Sequence, residues 1–187
     1  YLPFLGLQKI GLFDISGSFG STLLFCLGRF LSLLMAAGTV YAVYRIGREI
    51  VQKRAAVLSA LLASLLVPFV YYAKLANVDM PFFFWVTLSM YFYIRILKRH
   101  RTADYVLFAA AAALAVATKD QAYGFYVMTP VAILLSLHRF RKKAGPESGF
   151  LGTLLDRRVI LALLTAVGVF VLAVNLPWNA KGYFAHV

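Results

Sequence analysis

The chain has 187 residues, of which 62% are hydrophobic and 14% are charged, and its formal net charge is +12. Soluble domains carry about 25% charged residues, so this composition excludes an ordinary soluble protein and indicates a polytopic membrane protein. The positive charge does not indicate a nucleic-acid partner, because the basic residues cluster between long apolar runs. A single cysteine, Cys26, excludes a disulfide framework within the chain.

Residues 1–21 mix aromatic, glycine and charged residues, and we expect an outer juxtamembrane loop or a surface-lying segment there. Residues 22–187 form the predicted membrane domain, an all-α transmembrane bundle of about six spans. Pro130 falls inside the fifth run, where a membrane helix tolerates proline if its neighbours satisfy the freed carbonyl. A bilayer requires about 20 apolar residues per helix, and the six apolar runs lie near 22–44, 55–73, 80–97, 103–118, 122–137 and 159–176.

The basic residues mark one side of this bundle. Most of the 19 Lys and Arg residues follow the first, third and fifth runs, and the positive-inside rule makes that side cytoplasmic. We therefore expect a multi-pass protein of the inner (plasma) membrane, whose opposite side is periplasmic or extracellular. His100 and His138 lie on the basic side and are expected to be solvated. No spacing of His, Asp, Glu or Cys indicates a metal site.

The few ionisable groups on the opposite side are the functional candidates, because charges within or beside a membrane are costly. The most unusual stretch is residues 71–81, a short polar island between two apolar runs that contains Lys74 and Asp79. Lys119 and Asp120 follow the fourth run, and Arg29 lies inside the first.

Each candidate also has a structural explanation, which the sequence leaves open. Asp79 could cap the helix that follows it, since Pro81 favours a first turn there. Lys74 and Lys119 could interact with helix C-termini, and Arg29 could extend to the interface. Asp120 could simply pair with Lys119. The structural explanation of Tyr72 is an aromatic belt at the membrane interface, which would also include Tyr71, Tyr123, Tyr126 and Trp178.

Several of these residues form an ordered set of short motifs. Arg29-Phe30-Leu31-Ser32 opens a span, the stretch from Lys74 to Asp79 precedes another, and Ala117-Thr118-Lys119 ends a third. Together with residues 41–48 and 55–73, they resemble the dolichyl-phosphate-mannose-protein mannosyltransferase-like branch of the GT-C glycosyltransferases. That branch includes the bacterial enzyme that adds aminoarabinose to lipid A. The family has glycine where this chain has Asp120.

The resemblance implies a membrane glycosyltransferase, acting in lipopolysaccharide or protein glycosylation. The donor would be a polyprenyl-phosphate sugar, the acceptor a lipid, glycan or protein hydroxyl, and the active face non-cytoplasmic. No cofactor is implied; membrane lipids and the donor are the expected partners. Arg29, Lys74 and Lys119 would bind the lipid phosphate. Asp79 would be a secondary acid, which orients the acceptor or a cationic partner, and Asp120 and Tyr72 are weaker candidates. The family's main catalytic acid precedes the position of Tyr1, so we expect a fragment that is inactive alone.

Two other function classes fit the same charges. In a transporter or flippase for an amphipathic anion, the cations would line a path, but such proteins tend to show paired repeats and broken helices at the membrane midplane. The sequence shows neither, which favours the enzyme. In a membrane anchor or assembly subunit, Asp79 and Lys119 would be replaceable.

Overall fold

The computed structural model describes residues 18–145 and 149–177, and every regular element in these ranges is a helix. The predicted all-α class is therefore confirmed for the described residues. The elements, in chain order, are α1 (Ser18–Ile50), α2 (Lys53–Leu65), α3 (Val67–Ala73), α4 (Asp79–Arg99), α5 (Thr102–Thr118), a 3₁₀ turn (Asp120–Ala122), α6 (Tyr123–Tyr126), α7 (Thr129–Ala144), α8 (Phe150–Leu154) and α9 (Arg157–Ala173).

Two helices of the described chain are long and apolar enough to cross a membrane, namely residues Gly20–Ile50 of α1 and the whole of α4. A third candidate consists of α2 and α3 together, which are bent by 65° relative to each other. The expectation that the chain has no broken helix, which counted against a transporter, is therefore wrong. The apolar helix α5 is shorter than a typical span. The structure thus supports two or three spans, and the count of six stays a prediction.

The helices differ from the predicted runs mainly at their ends and at prolines. Residues 18–21, predicted to precede the first span, are part of α1, and the rest of the predicted outer segment lies outside the described residues. The second run breaks at Leu66, whose backbone is extended. Pro68 has no N–H to continue the helix, so a new helix begins there with Pro68 in its first turn.

The fifth predicted run is not one helix. It is divided into the 3₁₀ turn, the single turn of α6, and α7, which begins at Thr129 with Pro130 in its first turn. The expectation that Pro130 lies in the interior of a spanning helix is therefore wrong: it lies in the first turn of α7, where its missing N–H costs nothing. Helix α7 continues to Ala144, so the basic residues that directly follow the fifth predicted run, Arg139, Arg141, Lys142 and Lys143, are helical.

Close contacts of small residues set the order of the helices. A Cβ atom added to Gly38 of α1 would lie 2.6 Å from Cε2 of Phe84 in α4, and one added to Gly47 would lie 2.8 Å from Cα of Ala56 in α2. Helix α5 packs between α4 and α9, and four of its alanines are buried: Ala109, Ala111, Ala113 and Ala115. Small side chains allow such close approach of helix backbones in membranes.

Helices α4 and α5 form an antiparallel hairpin that defines two ends of the molecule. The connection at its closed end runs through His100, which has a left-handed backbone with φ of 48°. We call this the basic end. The opposite end, where α4 begins at Asp79 and α5 is followed by Lys119, is called the site end.

The two histidines at the basic end are more buried than the sequence predicts. His100 is only 6% exposed, and its ring nitrogens lie 2.9 Å from the Tyr105 hydroxyl and 3.3 Å from Ser136 Oγ. His138 is half-buried, and its Nδ1 lies 3.1 Å from Thr153 Oγ1. The prediction of a solvated side chain is wrong for His100, because it packs against α5 and α7. His138 is only partly exposed, because it packs against α8.

Candidate active site

The site end brings Asp79 and Lys119 into direct contact. The Lys119 Nζ atom lies 2.6 Å from Asp79 Oδ1, although the residues are 40 positions apart in the chain. The antiparallel hairpin explains this approach, because Asp79 is the first residue of α4 and Lys119 follows the last residue of α5. Two of the side chains singled out in the sequence therefore form one ion pair.

Two further contacts fix this pair. The Asn77 side chain donates a hydrogen bond from Nδ2 to Asp79 Oδ2, over 2.9 Å. The Lys119 ammonium also lies 5.8 Å from the centre of the Phe82 ring, within the range of a cation–π interaction. Both carboxylate oxygens of Asp79 thus face donors, and the ammonium of Lys119 is held from two directions.

The pair remains open to a ligand. The side chain of Lys119 is 34% exposed and that of Asp79 is 22% exposed. A lysine ammonium has three protons to donate, and Lys119 uses one on Asp79. Asn77 also presents a buried side-chain acceptor, Oδ1, which has no hydrogen-bond partner in the described part of the chain.

The structure contradicts two simpler explanations offered by the sequence, helix capping by Asp79 and pairing of Asp120 with Lys119. The residue that caps α4 is Val78, and Asp79 is already the first helical residue; its carboxylate accepts hydrogen bonds from the side chains of Asn77 and Lys119. Its carboxylate still lies in the first turn, where the helix dipole favours a negative charge. Asp120 does not pair with Lys119; it is exposed and opens the 3₁₀ turn.

The other predicted cations lie at the same end but outside this pair. Arg29 and Lys74 are both exposed, and within residues 18–145 and 149–177 neither side chain makes a hydrogen bond or an ion pair. A Cβ atom on Gly28 would lie 2.9 Å from Cβ of Ala76. Helix α1 therefore crosses the α3–α4 connection at Gly28, which puts Arg29 level with the residues that precede Asp79.

Tyr72 has a packing role in the structure. It is half-buried and packs against the buried cluster of Ala36, Ala73 and Met80, and its ring lies 5.3 Å from that of Tyr71 in an edge-on arrangement. It has no hydrogen bond to Asp79 or Lys119.

Sequence reasoning missed two residues of this site, Asn77 and Phe82. Asn77 lies inside the polar island of residues 71–81, and its amide, two positions before a carboxylate, was the available signal. Nothing in the sequence distinguishes Phe82 from the other phenylalanines, of which the chain has 16 in all. Its contact with Lys119 depends on where α5 ends.

The helical bundle, its membrane-length helices and its polar end define a membrane protein of the polytopic α-helical class. The chain belongs to the dolichyl-phosphate-mannose-protein mannosyltransferase family, whose model matches residues 25–178. This family implies a membrane glycosyltransferase of the GT-C type. The resemblance seen in the sequence motifs is thereby confirmed.

One similar protein comes from Aquifex aeolicus (strain VF5) and is described as an "Uncharacterized protein". It is 33% identical over 128 residues, which are 68% of this chain and 26% of that protein. The chain thus matches about a quarter of that relative's length. No solved structure matches the chain.

Proposed function

We propose that the protein transfers a sugar from a polyprenyl-phosphate carrier to a hydroxyl group of a lipid, glycan or protein, on the non-cytoplasmic face of a bacterial inner membrane. The observation that carries this proposal is the Lys119–Asp79 ion pair of 2.6 Å at the end of the bundle opposite the basic clusters. Membership of the family supports the class of reaction.

In this reaction the acceptor oxygen attacks the anomeric carbon and inverts it. The bond from that carbon to the phosphate oxygen breaks, and the lipid phosphate leaves with the electron pair. The acceptor hydroxyl loses its proton to a general base. Negative charge grows on the departing phosphate, so a cation already in position lowers the barrier.

Lys119 is our candidate for that cation. Its ammonium is fixed by Asp79 and Phe82 but keeps two protons and an exposed face. Holding the cation in place before the substrate arrives removes the cost of ordering a long side chain during the reaction.

Asp79 is then a positioning residue. Of the two roles that its sequence position allows, acceptor orientation and support of a cation, the geometry favours the second. Both of its oxygens already receive hydrogen bonds, from Lys119 and from Asn77. A carboxylate so engaged is a poor general base, but it sets the direction of its cationic partner.

Arg29 and Lys74 complete the proposed phosphate site. Both are exposed cations without a carboxylate partner in the described residues, at the same end as Lys119. A guanidinium can bind phosphate through two parallel hydrogen bonds, whereas an ammonium acts as a point charge. Tyr72 packs away from the pair, and Asp120 adds negative charge near the phosphate, so neither has a step in this mechanism.

The test is sugar transfer by the full-length protein from a radiolabelled polyprenyl-phosphate sugar. Lys119→Ala should lower kcat by about 10²–10³-fold, as loss of one charge-stabilising group does in other enzymes. Lys119→Arg should retain more activity, because it keeps the charge. Asp79→Asn should reduce transfer less than Lys119→Ala. Lys142→Ala, which removes an exposed cation at the basic end, is the matched control.

Undiminished transfer in both Lys119→Ala and Asp79→Asn would refute the proposed site. Transport of the lipid-linked sugar without any glycosylated product would instead identify a flippase. These outcomes are distinguished by measuring product and translocated donor in the same vesicles.

A further inference from the structure

A polar cavity lies at the basic end, between the end of α4 and one face of α7. Its volume is about 590 Å³. Three cationic side chains line it, Lys98, Arg139 and Lys143, together with the polar groups of His100 and Ser136. It lies at the other end of the α4–α5 hairpin from Asp79 and Lys119, and it takes no part in the proposed transfer reaction.

The lining changes from apolar to basic along the helix axes. On α7 the lining residues Ala132, Leu135, Arg139 and Lys143 recur every three or four positions, so they share one face. Of these four, the two apolar residues come first, toward the middle of the bundle, and the two cations come last, with Phe140 also lining the cavity between them. On α4, Tyr93 and Leu97 line the cavity before Lys98.

The cations of this cavity lack acidic partners, unlike their neighbours. At the same end, Arg99 pairs with Glu49, Arg95 with Asp104 and Arg141 with Asp156. Arg139 and Lys143 make no ion pair or side-chain hydrogen bond within the described chain.

Lys98, the third cation, donates to the backbone carbonyl oxygen of Glu49, which leaves its charge uncompensated by a carboxylate. The cavity therefore holds an excess of positive charge above an apolar floor.

We propose that this cavity binds an anionic phospholipid from the leaflet at the basic end. The phosphate lies between Arg139 and Lys143, and an acyl chain runs along Leu97, Ala132 and Leu135. Basic pockets between membrane helices are suited to such headgroups. A free phosphate would leave the apolar part of the cavity unused, so the layout favours the lipid.

The test measures lipid binding to the full-length, delipidated protein by native mass spectrometry, with phosphatidylglycerol and phosphatidylcholine as probes. The double variant Arg139→Gln/Lys143→Gln should bind phosphatidylglycerol roughly tenfold more weakly, since each cation near a membrane surface contributes substantially to anion binding. The matched control is Arg54→Gln/Lys142→Gln, which removes the same charge from exposed positions outside the cavity. It should bind phosphatidylglycerol like the unaltered protein.

A third variant, Ala132→Phe, keeps every charge and fills the apolar floor; it too should weaken phosphatidylglycerol binding. Thermal unfolding in detergent without lipid establishes that each variant is folded. Equal losses in the two double variants would overturn the proposal, because they would show a general effect of surface charge. So would equal binding of phosphatidylcholine, or full competition by glycerol 3-phosphate at the concentration of the lipid, which would show that the headgroup alone is bound.

Discussion

At the scale of single residues, the Lys119–Asp79 pair is too exposed to contribute much to stability. Its side chains are 34% and 22% exposed, and ion pairs open to solvent contribute about 0–1 kcal/mol. Loss of this pair should therefore leave the protein folded. A loss of sugar transfer in Lys119→Ala would then report on the reaction and not on unfolding.

The sequence indicated which charges to consider, but not the contacts they make. Asp79 and Lys119 stood out because ionisable groups are rare on their side of the predicted bundle. The hydrogen bond from Asn77 and the position of the Phe82 ring depend on the path of the α3–α4 connection and on where α5 ends. Neither is encoded in an apolar pattern, because both arise from packing between helices.

His100 makes the stability of the protein depend on pH. Burial, and then the charge of Arg158, lower the pKa of His100 below its ordinary value of 6.5. In the unfolded chain the imidazole takes up a proton as the pH falls through about 6.5, whereas in the folded protein it stays neutral to lower pH. The free energy of unfolding should therefore be highest above that pH and decrease below it.

The measurement is the midpoint of thermal unfolding in detergent at about pH 7.5 and about pH 5.5, either side of the ordinary histidine pKa. His100→Asn is a suitable comparison, because asparagine tolerates the left-handed backbone at this position. The variant should lose less stability on acidification than the unaltered protein. An equal loss in both proteins would show that His100 is not responsible.

At the scale of helices, α1 is the helix against which α2, α3 and α4 pack. Three glycines of this helix, Gly28, Gly38 and Gly47, each face a neighbouring segment at close range. They differ in what they face. Gly38 meets the edge of the Phe84 ring, which can rotate, whereas Gly47 meets the backbone of Ala56, which cannot.

Gly47→Ala should therefore destabilise the protein. The added Cβ would lie 2.8 Å from both Cα and Cβ of Ala56, which is fully buried. Overpacking typically costs about 1–3 kcal/mol, more than the roughly 1 kcal/mol that alanine gains over glycine inside a helix. The midpoint of thermal unfolding should fall.

Gly168→Ala in α9 is the matched control, because nothing lies within 4 Å of a Cβ atom at Gly168. It should gain the helix propensity of alanine without a clash, so its midpoint should be unchanged or higher. If Gly47→Ala behaved in the same way, α1 and α2 would not approach as closely as the structure has them.

The length of an apolar run predicted the existence of these helices but not their limits. A helix continues past the membrane as long as its backbone hydrogen bonds continue, so α1 extends beyond the predicted run at both ends. Proline had the opposite effect at Pro68 and Pro130, where new helices begin inside predicted spans. Hydrophobicity does not distinguish a proline within a helix from one that starts it.

At the scale of the whole molecule, the two ends of the α4–α5 hairpin should face opposite sides of the membrane. We expect the basic end in the cytoplasm and the site end outside, by the positive-inside rule. Single cysteines at Gln121, beside the site end, and at Lys142, at the basic end, test this. Both positions are exposed, and the background replaces the protein's other cysteines, Cys26 included.

A membrane-impermeant maleimide should label Gln121→Cys in intact cells and Lys142→Cys only after the membrane is opened. The reverse pattern would invert the orientation. Labelling of both from one side would show that the site end and the basic end do not lie on opposite sides of the membrane.

The contact between Asp79 and Lys119 also turns the α4–α5 hairpin into a ring. The peptide backbone closes it at His100, and an electrostatic bond between residues 40 positions apart closes it at the other end. The first closure is permanent, whereas the second is weakened by concentrated salt. A phosphate that binds the two remaining protons of Lys119 would thus lie directly beside the point where the ring closes.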